Sequence, residues 1–299
     1  MSCGKGDRDV KFCAVDEGVS KLIDLALAED IGPGDLTSEF FVPENRRARA
    51  FVVAKADGIV AGVDVAAEVF RRVDPETDVN IMLQDGAAIA PGAYVMEAVG
   101  KARSVLTAER TVINFLQRLS GVATKAHEFV EAVKGTGATI IDTRKTTPGW
   151  RRLEKAAVVA GGAQNHRMGL YDRVMVKDNH LVVEGGVEAL QEATARLKEA
   201  HPGIGVEVEA ETLEQVEAFL ALDDLDYLLL DNMENEQMIK AVEMRGPHER
   251  PLLEASGGVN IDTVRGIAET GVEFISVGAL THSAVALDLS LEFVEFEEG

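Results

Sequence analysis

The chain has 299 residues, of which 46% are hydrophobic and 27% charged, and its formal net charge is −21. That length and composition fit a globular protein of one or two domains. The acidity excludes a nucleic-acid-binding protein, because a phosphate backbone needs a basic surface. No apolar stretch approaches the ~20 residues that cross a bilayer, and the N-terminus lacks the apolar segment of a signal peptide. We therefore expect a cytoplasmic protein with no membrane partner, in which Cys3 and Cys13 are unpaired thiols.

The N-terminal part of the chain predicts a helix followed by a small β-rich layer. Apolar spacing in residues 18–30 predicts the helix, and Gly32, Pro33 and Gly34 end it. Short strand-like runs separated by glycine turns follow, with the helix "VDVAAEVFRRV" packed on them. The runs are "RARAFVVAKA", "DGIVAG", "VNIMLQDG" and "AYVMEAVG". From Ser104 a long amphipathic stretch predicts a helix in two pieces, divided near Ser120 and Gly121.

The rest of the chain alternates strands with helices. The strand candidates are "ATIID" (138–142), "RVMVK" (173–177), "GVEVE" (205–209), "DYLLLD" (226–231), "PLLEAS" (251–256) and "EFISVG" (273–278). Helical segments of 10 to 16 residues, such as "GGVEALQEATARLKEA" and "NEQMIKAVEM", lie between them. This alternation predicts βαβ units with a parallel sheet. The sheet forms a closed or nearly closed barrel, or alternatively a two-layer doubly wound sheet.

Each predicted strand ends in polar residues or glycines, which a barrel would bring to one rim, where such folds carry their chemistry. The cations suit carboxylates and phosphates, and Glu209 with Asp231 suits Mg²⁺ or sugar hydroxyls. Gly257 and Gly258, and later Gly278, precede predicted helices and indicate anion cradles. The cations are Arg144, Lys145, His166, Arg167 and Lys177. These residues predict an enzyme acting on phosphorylated substrates with several negative charges.

Nine segments of the chain, spanning about residues 20 to 290, resemble the quinolinate phosphoribosyltransferase family, also called nicotinate-nucleotide pyrophosphorylase (carboxylating). They are "EDIGPGDLTS", "TAERTVINFLQRLSGVAT", "DTRKTTPG", "GGAQNHRMGLYD", "VKDNH", "EVEAETLEQ", "LLLDN", "EASGGVN" and "SVGALTHS". The resemblance implies an α/β fold with an N-terminal sandwich-like α/β domain (1–112, joined by 286–299). An open seven-stranded α/β barrel (113–285) would carry the active site. It also implies a homodimer, or a hexamer built as a trimer of dimers.

The implied reaction joins quinolinate to 5-phosphoribosyl 1-pyrophosphate, with Mg²⁺, and releases nicotinate mononucleotide, CO2 and pyrophosphate. The implied ligands of the quinolinate carboxylates are Arg144, His166, Arg167 and Lys177, with Arg110 of the partner subunit. Lys145 and Lys177 would face the pyrophosphate, and Glu209 and Asp231 would hold Mg²⁺ and the ribose hydroxyls. The implied cradle of the 5′-phosphate is Ser256, Gly257, Gly258 and Gly278, with His282 close by.

Three alternatives stay open at this point. One is a phosphoribosyltransferase-like paralogue linked to molybdate transport, and another is a Schiff-base aldolase that uses Lys177 or Lys145. The third is a barrel that binds anions without catalysis. Arg151 and Arg152 are expected to be surface or interface charges with no part in the site.

Overall fold

The computed structural model describes residues 15–177 and 186–297, with side chains given up to residue 294. The chain divides into two compact units, one running to Ser120 and taking in the segment from Leu287, the other comprising Gly121–Ala286. The division falls within a helix of residues 102–132, and the boundary expected from the sequence, after residue 112, lies in the same helix. Cys3, Cys13 and Asp178 lie outside the described residues.

Two helices begin the first unit, α1 (Glu17–Ile31) and α2 (Leu36–Phe41). Asp16 caps α1 by accepting the backbone N–H of Val19 at 2.8 Å, and Asp35 caps α2 in the same way at 3.0 Å. The predicted break after α1 is confirmed, since Gly32 follows it with a φ of +53°. The expected apolar face is only partly buried, because Leu25 is 68% exposed.

The sheet of the first unit has four antiparallel strands. These are β1 (Arg47–Ala54), β3 (Asp78–Ile81), β5 (Tyr94–Lys101) and β12 (Leu289–Glu297), in the order β12-β1-β5-β3. Two further short strands, β2 (Gly58–Ile59) and β4 (Ala88–Ile89), pair separately. Helix α3 (Val63–Val73) packs against β3 and β5 through buried residues such as Val69 and Phe70. The predicted β-rich layer with one helix on it is confirmed.

The predicted division of the long helix near Ser120 and Gly121 is wrong, because α4 runs unbroken from Ala102 to Ala132. A Cβ atom on Gly121 would lie 2.0 Å from the carbonyl oxygen of Val285. Glycine at this position therefore allows a close approach of two backbones and does not interrupt the helix.

The second unit contains a six-stranded parallel sheet, and all six predicted strands are confirmed. They are β6 (Thr139–Ile141), β7 (Arg173–Val176), β8 (Gly205–Ala210), β9 (Tyr227–Asp231), β10 (Leu252–Ser256) and β11 (Phe274–Ser276). Their order is β6-β11-β10-β9-β8-β7. Helix α5 (Arg151–Ala160) lies between β6 and β7 in the chain. The helices that follow β7 among the described residues are Val187–Ala200, Leu213–Leu220, Asn235–Arg245, Val264–Ala268 and Ala279–His282.

The sheet curls into an open barrel. Gln164 forms a parallel bridge with Ile141 on the outer side of β6, so it occupies a seventh position in place of a full strand. His166 follows it closely in the chain, yet its Nε2 lies 3.1 Å from Glu207 on β8, near the opposite edge of the sheet. A flat sheet could not bring these residues together, so the barrel is confirmed and the doubly wound alternative is excluded.

We predict that Gly121→Ala lowers the free energy of unfolding by about 1–3 kcal/mol, the usual cost of overpacking. Gly18→Ala is the matched control, because Gly18 also lies in a helix but its added Cβ would meet nothing closer than 3.4 Å. The control should leave stability unchanged or raise it slightly. Urea denaturation followed by circular dichroism measures both, and equal stabilities would show that Gly121 is not a packing residue.

Candidate active site

Five of the predicted rim residues are the last members of inward-facing series on five strands, namely Lys177, Glu209, Asp231, Ser256 and Gly278. Alternate residues of a strand point to the same face, and the series are Arg173, Met175 and Lys177; Gly205, Glu207 and Glu209; Tyr227, Leu229 and Asp231; Leu252, Glu254 and Ser256; and Phe274, Ser276 and Gly278. Contacts between series support this placement, since Lys177 Nζ lies 2.5 Å from Glu209 Oε2 and Arg173 Nη1 lies 3.6 Å from Glu207 Oε2. Because the strands are parallel, the last members share one rim.

Lys145, Gly278 and His282 are brought together where β6 and β11 end. A Cβ atom on Gly278 would lie 3.0 Å from Lys145 Cδ and 3.2 Å from His282 Nε2. Thr281 fixes the loop by donating its hydroxyl hydrogen to the Lys145 carbonyl at 2.8 Å. A side chain at position 278 would fill this space, so glycine keeps it open beside two basic groups.

Arg144 and Arg167 lie close enough for their charges to repel one another. Burial lowers the pKa of Arg167, and the positive charge of Arg144 lowers it further, against the opposite effect of Glu207. The Arg167 guanidinium is held by the Arg173 carbonyl at 3.2 Å, while Arg144 is exposed. Two guanidinium groups that repel one another at a protein rim form an anion-binding arrangement.

Three carboxylates meet at the ends of β8 and β9. Glu209, Glu211 and Asp231 each have an oxygen within 4.8 Å of the others. Glu209 is buried and pairs with Lys177, whereas Glu211 is exposed. Oxygen ligands of this kind suit a hard cation such as Mg²⁺. The sequence analysis predicted Glu209 and Asp231 and missed Glu211.

The turn after β10 requires glycine. Gly257 has a φ of +101°, and a Cβ there would lie 2.1 Å from Asn232 Oδ1. Gly258 has a φ of +60° and faces open space. The backbone N–H groups of Gly257, Gly258 and Gly278 donate to no acceptor among the described residues. These amides are therefore available to an anion.

The helices expected to add their dipoles to these turns are short. The helix after the Gly257–Gly258 turn begins only at Val264 and has 5 residues, and the helix after Gly278 has 4. The side-chain oxygen of Asn260 accepts hydrogen bonds from the backbone N–H groups of Asp262 and Thr263, at 3.0 and 3.2 Å. Any anion binding here would depend on the glycine amides more than on a helix dipole.

His166 points into the barrel, where its Nε2 lies 3.1 Å from Glu207 and 3.4 Å from Glu254. Its Nδ1 accepts the backbone N–H of Arg167 at 2.6 Å. Both ring nitrogens are thus engaged within the protein. A direct contact with a substrate carboxylate, which the resemblance implies, would require one of these bonds to break.

The His166 cluster shares a proton. Burial opposes a charge on the imidazole, but Glu207 and Glu254 outweigh it and raise the pKa of His166 to about 9. Burial and the charge of Glu207 raise the pKa of Glu254 to about 7. Because Nδ1 accepts the Arg167 N–H, the hydrogen on Nε2 faces Glu207 and Glu254. Nε2 then carries hydrogen and cannot ligate a metal.

A buried ion pair ties the end of β6 to the segment that carries His166. Lys155 and Asp142 are both fully buried and in contact. Lys155 Nζ also donates to the His166 carbonyl at 2.9 Å, and Asp142 accepts the His166 N–H at 2.8 Å. Asn165, with its amide nitrogen turned toward Asp142, adds a bond of 2.6 Å. Burial raises the pKa of Asp142 to about 6, against the opposing charge of Lys155.

Two further arginines need comment. Arg151 was expected to be a surface or interface charge, and Arg110 was expected to reach the site of the partner subunit. Arg151 is not a detached surface charge, because its guanidinium donates to Thr146, Met168 and Arg144, at 3.0, 3.1 and 3.4 Å. Arg110 is exposed on α4 and belongs to the first unit, whereas the other predicted site residues belong to the second unit.

The residues that sequence reasoning missed are Asp142 as an anchor, Lys155, Glu207, Glu211 and Glu254. Glu207 and Glu254 stand two positions before Glu209 and Ser256, so strand alternation gave a signal for their inward direction. Lys155 gave a weaker one: a lysine within the helical run "LEKAAVVA", which is otherwise mostly apolar.

Comparison with known proteins agrees with this geometry. The family models described as quinolinate phosphoribosyl transferase, N-terminal and C-terminal domains, match residues 35–120 and 122–292. The chain belongs to the quinolinate phosphoribosyltransferase family. The family predicted from the sequence motifs is therefore confirmed.

Named relatives cover nearly the whole chain. A chloroplastic nicotinate-nucleotide pyrophosphorylase [carboxylating] of Arabidopsis thaliana is 44% identical, over 91% of this chain and 81% of its own length. A probable enzyme of the same name from Synechocystis is 40% identical over 90% of each chain. The solved nicotinate-nucleotide pyrophosphorylase of Francisella tularensis is 36% identical, with a TM-score of 0.87 over 93% of this chain and 96% of that one.

We predict that Asp142→Asn destabilises the protein by about 3–5 kcal/mol, because it leaves Lys155 charged and buried without its counter-ion. The double variant Asp142→Asn/Lys155→Met should recover most of this loss. Glu17→Gln, which removes an exposed pair with Lys21, is the control and should change nothing measurable. Chemical denaturation measures all three variants. Additive effects of the two single changes would contradict a coupled pair.

Proposed function

We propose that this protein transfers the phosphoribosyl group of 5-phosphoribosyl 1-pyrophosphate to quinolinate and decarboxylates the product to nicotinate mononucleotide. The observation that carries the proposal is the placement of Arg144 and Arg167 at the rim of a barrel of this family, on two segments that Arg151 joins by its hydrogen bonds to Thr146 and Met168. Quinolinate is a dicarboxylate, and two forked donors match two planar carboxylates. Curated and solved proteins of the same family are named for this reaction.

The substrates would divide the rim between them. Quinolinate would lie against Arg144, Arg167 and Lys177, with His166 holding Arg167 from the barrel interior. Lys145 and His282, beside Gly278, would take the phosphate groups together with the free amides of the glycine turns. Ser256 begins the turn that carries Gly257 and Gly258. The two anions would thus meet between the end of β6 and the end of β8.

Glu209, Glu211 and Asp231 would hold Mg²⁺, and Glu209 and Asp231 would also receive the ribose hydroxyls. The fit is chemical, since all three offer hard oxygen ligands near one another. When bound, the ion neutralises charge on the pyrophosphate. Lys177, paired with Glu209 at 2.5 Å, adds a positive charge on the same side.

The chemistry needs positioning and charge stabilisation rather than a general base. The quinolinate nitrogen forms a bond to ribose C1 as the bond from C1 to the pyrophosphate oxygen breaks, and the leaving electrons stay on pyrophosphate. Clamped carboxylates hold the nitrogen in line with that bond, and Lys145 stabilises the departing charge. Loss of CO2 then leaves an electron pair at C2 beside a cationic ring nitrogen, and C2 takes a proton. The ring is its own electron sink.

A homodimer, or a hexamer of three dimers, would complete the site with Arg110 of the partner subunit. Arg110 is exposed on α4. The same unit exposes large apolar side chains on α2, with Leu36, Phe40 and Phe41 exposed to 67%, 78% and 83%. Apolar side chains exposed together in this way are typical of a protein interface.

Among the described residues, no helix is long and apolar enough to cross a membrane. The cytoplasmic location expected from the sequence stays a prediction. The plant relatives include proteins named chloroplastic and mitochondrial.

The aldolase alternative is disfavoured by the lysines themselves. A Schiff-base lysine is usually desolvated so that its amine loses its proton. The Lys177 side chain is 45% exposed and paired with Glu209, and Lys145 is exposed. The molybdate-linked paralogue and the non-catalytic barrel are separated from the main proposal by activity.

The test of the proposal is an assay with quinolinate, 5-phosphoribosyl 1-pyrophosphate and Mg²⁺. We expect nicotinate mononucleotide and CO2 in equal amounts, measured by chromatography and by release of label from the 2-carboxyl group. Omitting the phosphoribosyl donor should stop CO2 release, because the ring nitrogen then stays uncharged. No product would overturn the proposal, and turnover of nicotinate in place of quinolinate would change the substrate. Borohydride should trap no carbonyl compound on the protein.

We predict that Arg144→Gln raises the KM for quinolinate about 10- to 100-fold, since a hydrogen bond between charged groups contributes about 1.5–3 kcal/mol. The KM for the phosphoribosyl donor should stay within about twofold, and the melting temperature should not change because Arg144 is exposed. Arg152→Gln, an exposed arginine of α5, is the matched control. A normal KM for quinolinate in Arg144→Gln would remove this residue from the site.

A further inference from the structure

The first turns of helix α5 bind both segments that carry the rim cations. Arg151, Glu154 and Lys155 stand at positions i, i+3 and i+4, which share one helix face. One of the two segments is the loop of residues 142–147, which holds Arg144 and Lys145, and the other is the segment 165–168, which holds His166 and Arg167. We call these the first and second cation segments.

Glu154 binds the end of the first cation segment. It is fully buried, and its two carboxylate oxygens accept the backbone N–H and the hydroxyl of Thr147, at 2.9 and 2.8 Å. A buried carboxylate is tolerated only when its oxygens are bonded, so these bonds fix the end of the loop to the helix.

Lys155 and Arg151 each bind both segments. Lys155 contacts Asp142 at the start of the first segment and donates to the His166 carbonyl in the second at 2.9 Å. Arg151 donates to the Thr146 hydroxyl in the first segment at 3.0 Å and to the Met168 carbonyl in the second at 3.1 Å. Its third bond, 3.4 Å long, goes to the carbonyl of Arg144 itself. One side chain thus bridges the backbone of Arg144 and that of Met168, the residue after Arg167.

We propose that Arg151 is a positioning residue that sets the separation of the Arg144 and Arg167 guanidinium groups, with Glu154 and Lys155 as its buried support. The inference rests on the proposed function, because the separation matters only if the two groups grip one dicarboxylate. The N–H groups of Arg151 donate hydrogen bonds to protein acceptors in both segments. Arg151 therefore acts through Arg144 and Arg167 rather than on the substrate. The guanidinium group of Arg151 is planar, and its donors point in fixed directions. It can therefore bind three acceptors at once.

The test is Arg151→Lys, which keeps the charge but cannot bridge the same three acceptors. We expect the KM for quinolinate to rise about tenfold or more, because displacement of a positioned group by about 1 Å can cost up to about 100-fold. The KM for the phosphoribosyl donor should rise by much less, since of its proposed ligands only Lys145 lies in a cation segment, whereas Gly257, Gly258 and Gly278 lie on other loops. Arg152→Lys in the same helical turn is the matched control and should behave as the wild type.

Calorimetric titration with quinolinate gives a second measure that needs no turnover. We expect Arg151→Lys to weaken quinolinate binding by the same factor as the KM, with a melting temperature close to that of the wild type. An unchanged KM and affinity would overturn the inference, and so would an equal rise in KM for both substrates or a loss of affinity explained by unfolding. Absence of turnover in the wild type would instead refute the proposed function, while the titration still tests whether Arg151 shapes a quinolinate site.

Discussion

The arrangement of the site depends on the pairing of charges inside the barrel. Barrels of this class usually fill their interior with branched apolar side chains. Here Glu207, Glu254 and His166 occupy the interior, and the Asp142–Lys155 pair is fully buried beside it. Each buried charge costs several kcal/mol unless its partners stand in one arrangement. The backbone around His166 and Arg167 is therefore fixed by the same bonds that make the buried charges tolerable.

The sequence predicted the strands and the rim because both depend on local patterns. Strand alternation, glycine turns and the polar residues at strand ends can all be read within a few positions. The cluster of His166, Glu207 and Glu254 cannot be read from a local pattern. The strands of Glu207 and Glu254 are separated by β9, and their side chains meet across the curled interior. The role of Gly121 could not be predicted for the same reason. Glycine is required there by the backbone of Val285, which is far away in the sequence. Arg151 was misjudged because two of its three acceptors are backbone carbonyls, which no residue pattern reveals.

The acidic surface makes the local placement of cations more important. With a formal net charge of −21, the protein repels anions at long range. At physiological ionic strength this repulsion is screened beyond about 8 Å. Capture of an anionic substrate then depends on the few cations that it reaches within that distance. Arg144 and Lys145 are neighbours in the chain, and Arg144 lies close enough to Arg167 for the two charges to interact.

The interior cluster keeps these cations available whatever the position of its shared proton. With the proton on Glu254, His166 is neutral, and the charge of Glu207 is balanced by Arg173 at 3.6 Å. With the proton on His166, the imidazolium balances Glu254 and Arg173 still balances Glu207. Both forms are neutral overall, so the cluster does not consume the charge of Arg167. Burying Glu254 as a second carboxylate would be unfavourable by itself, but His166 at 3.4 Å shares its proton or balances its charge.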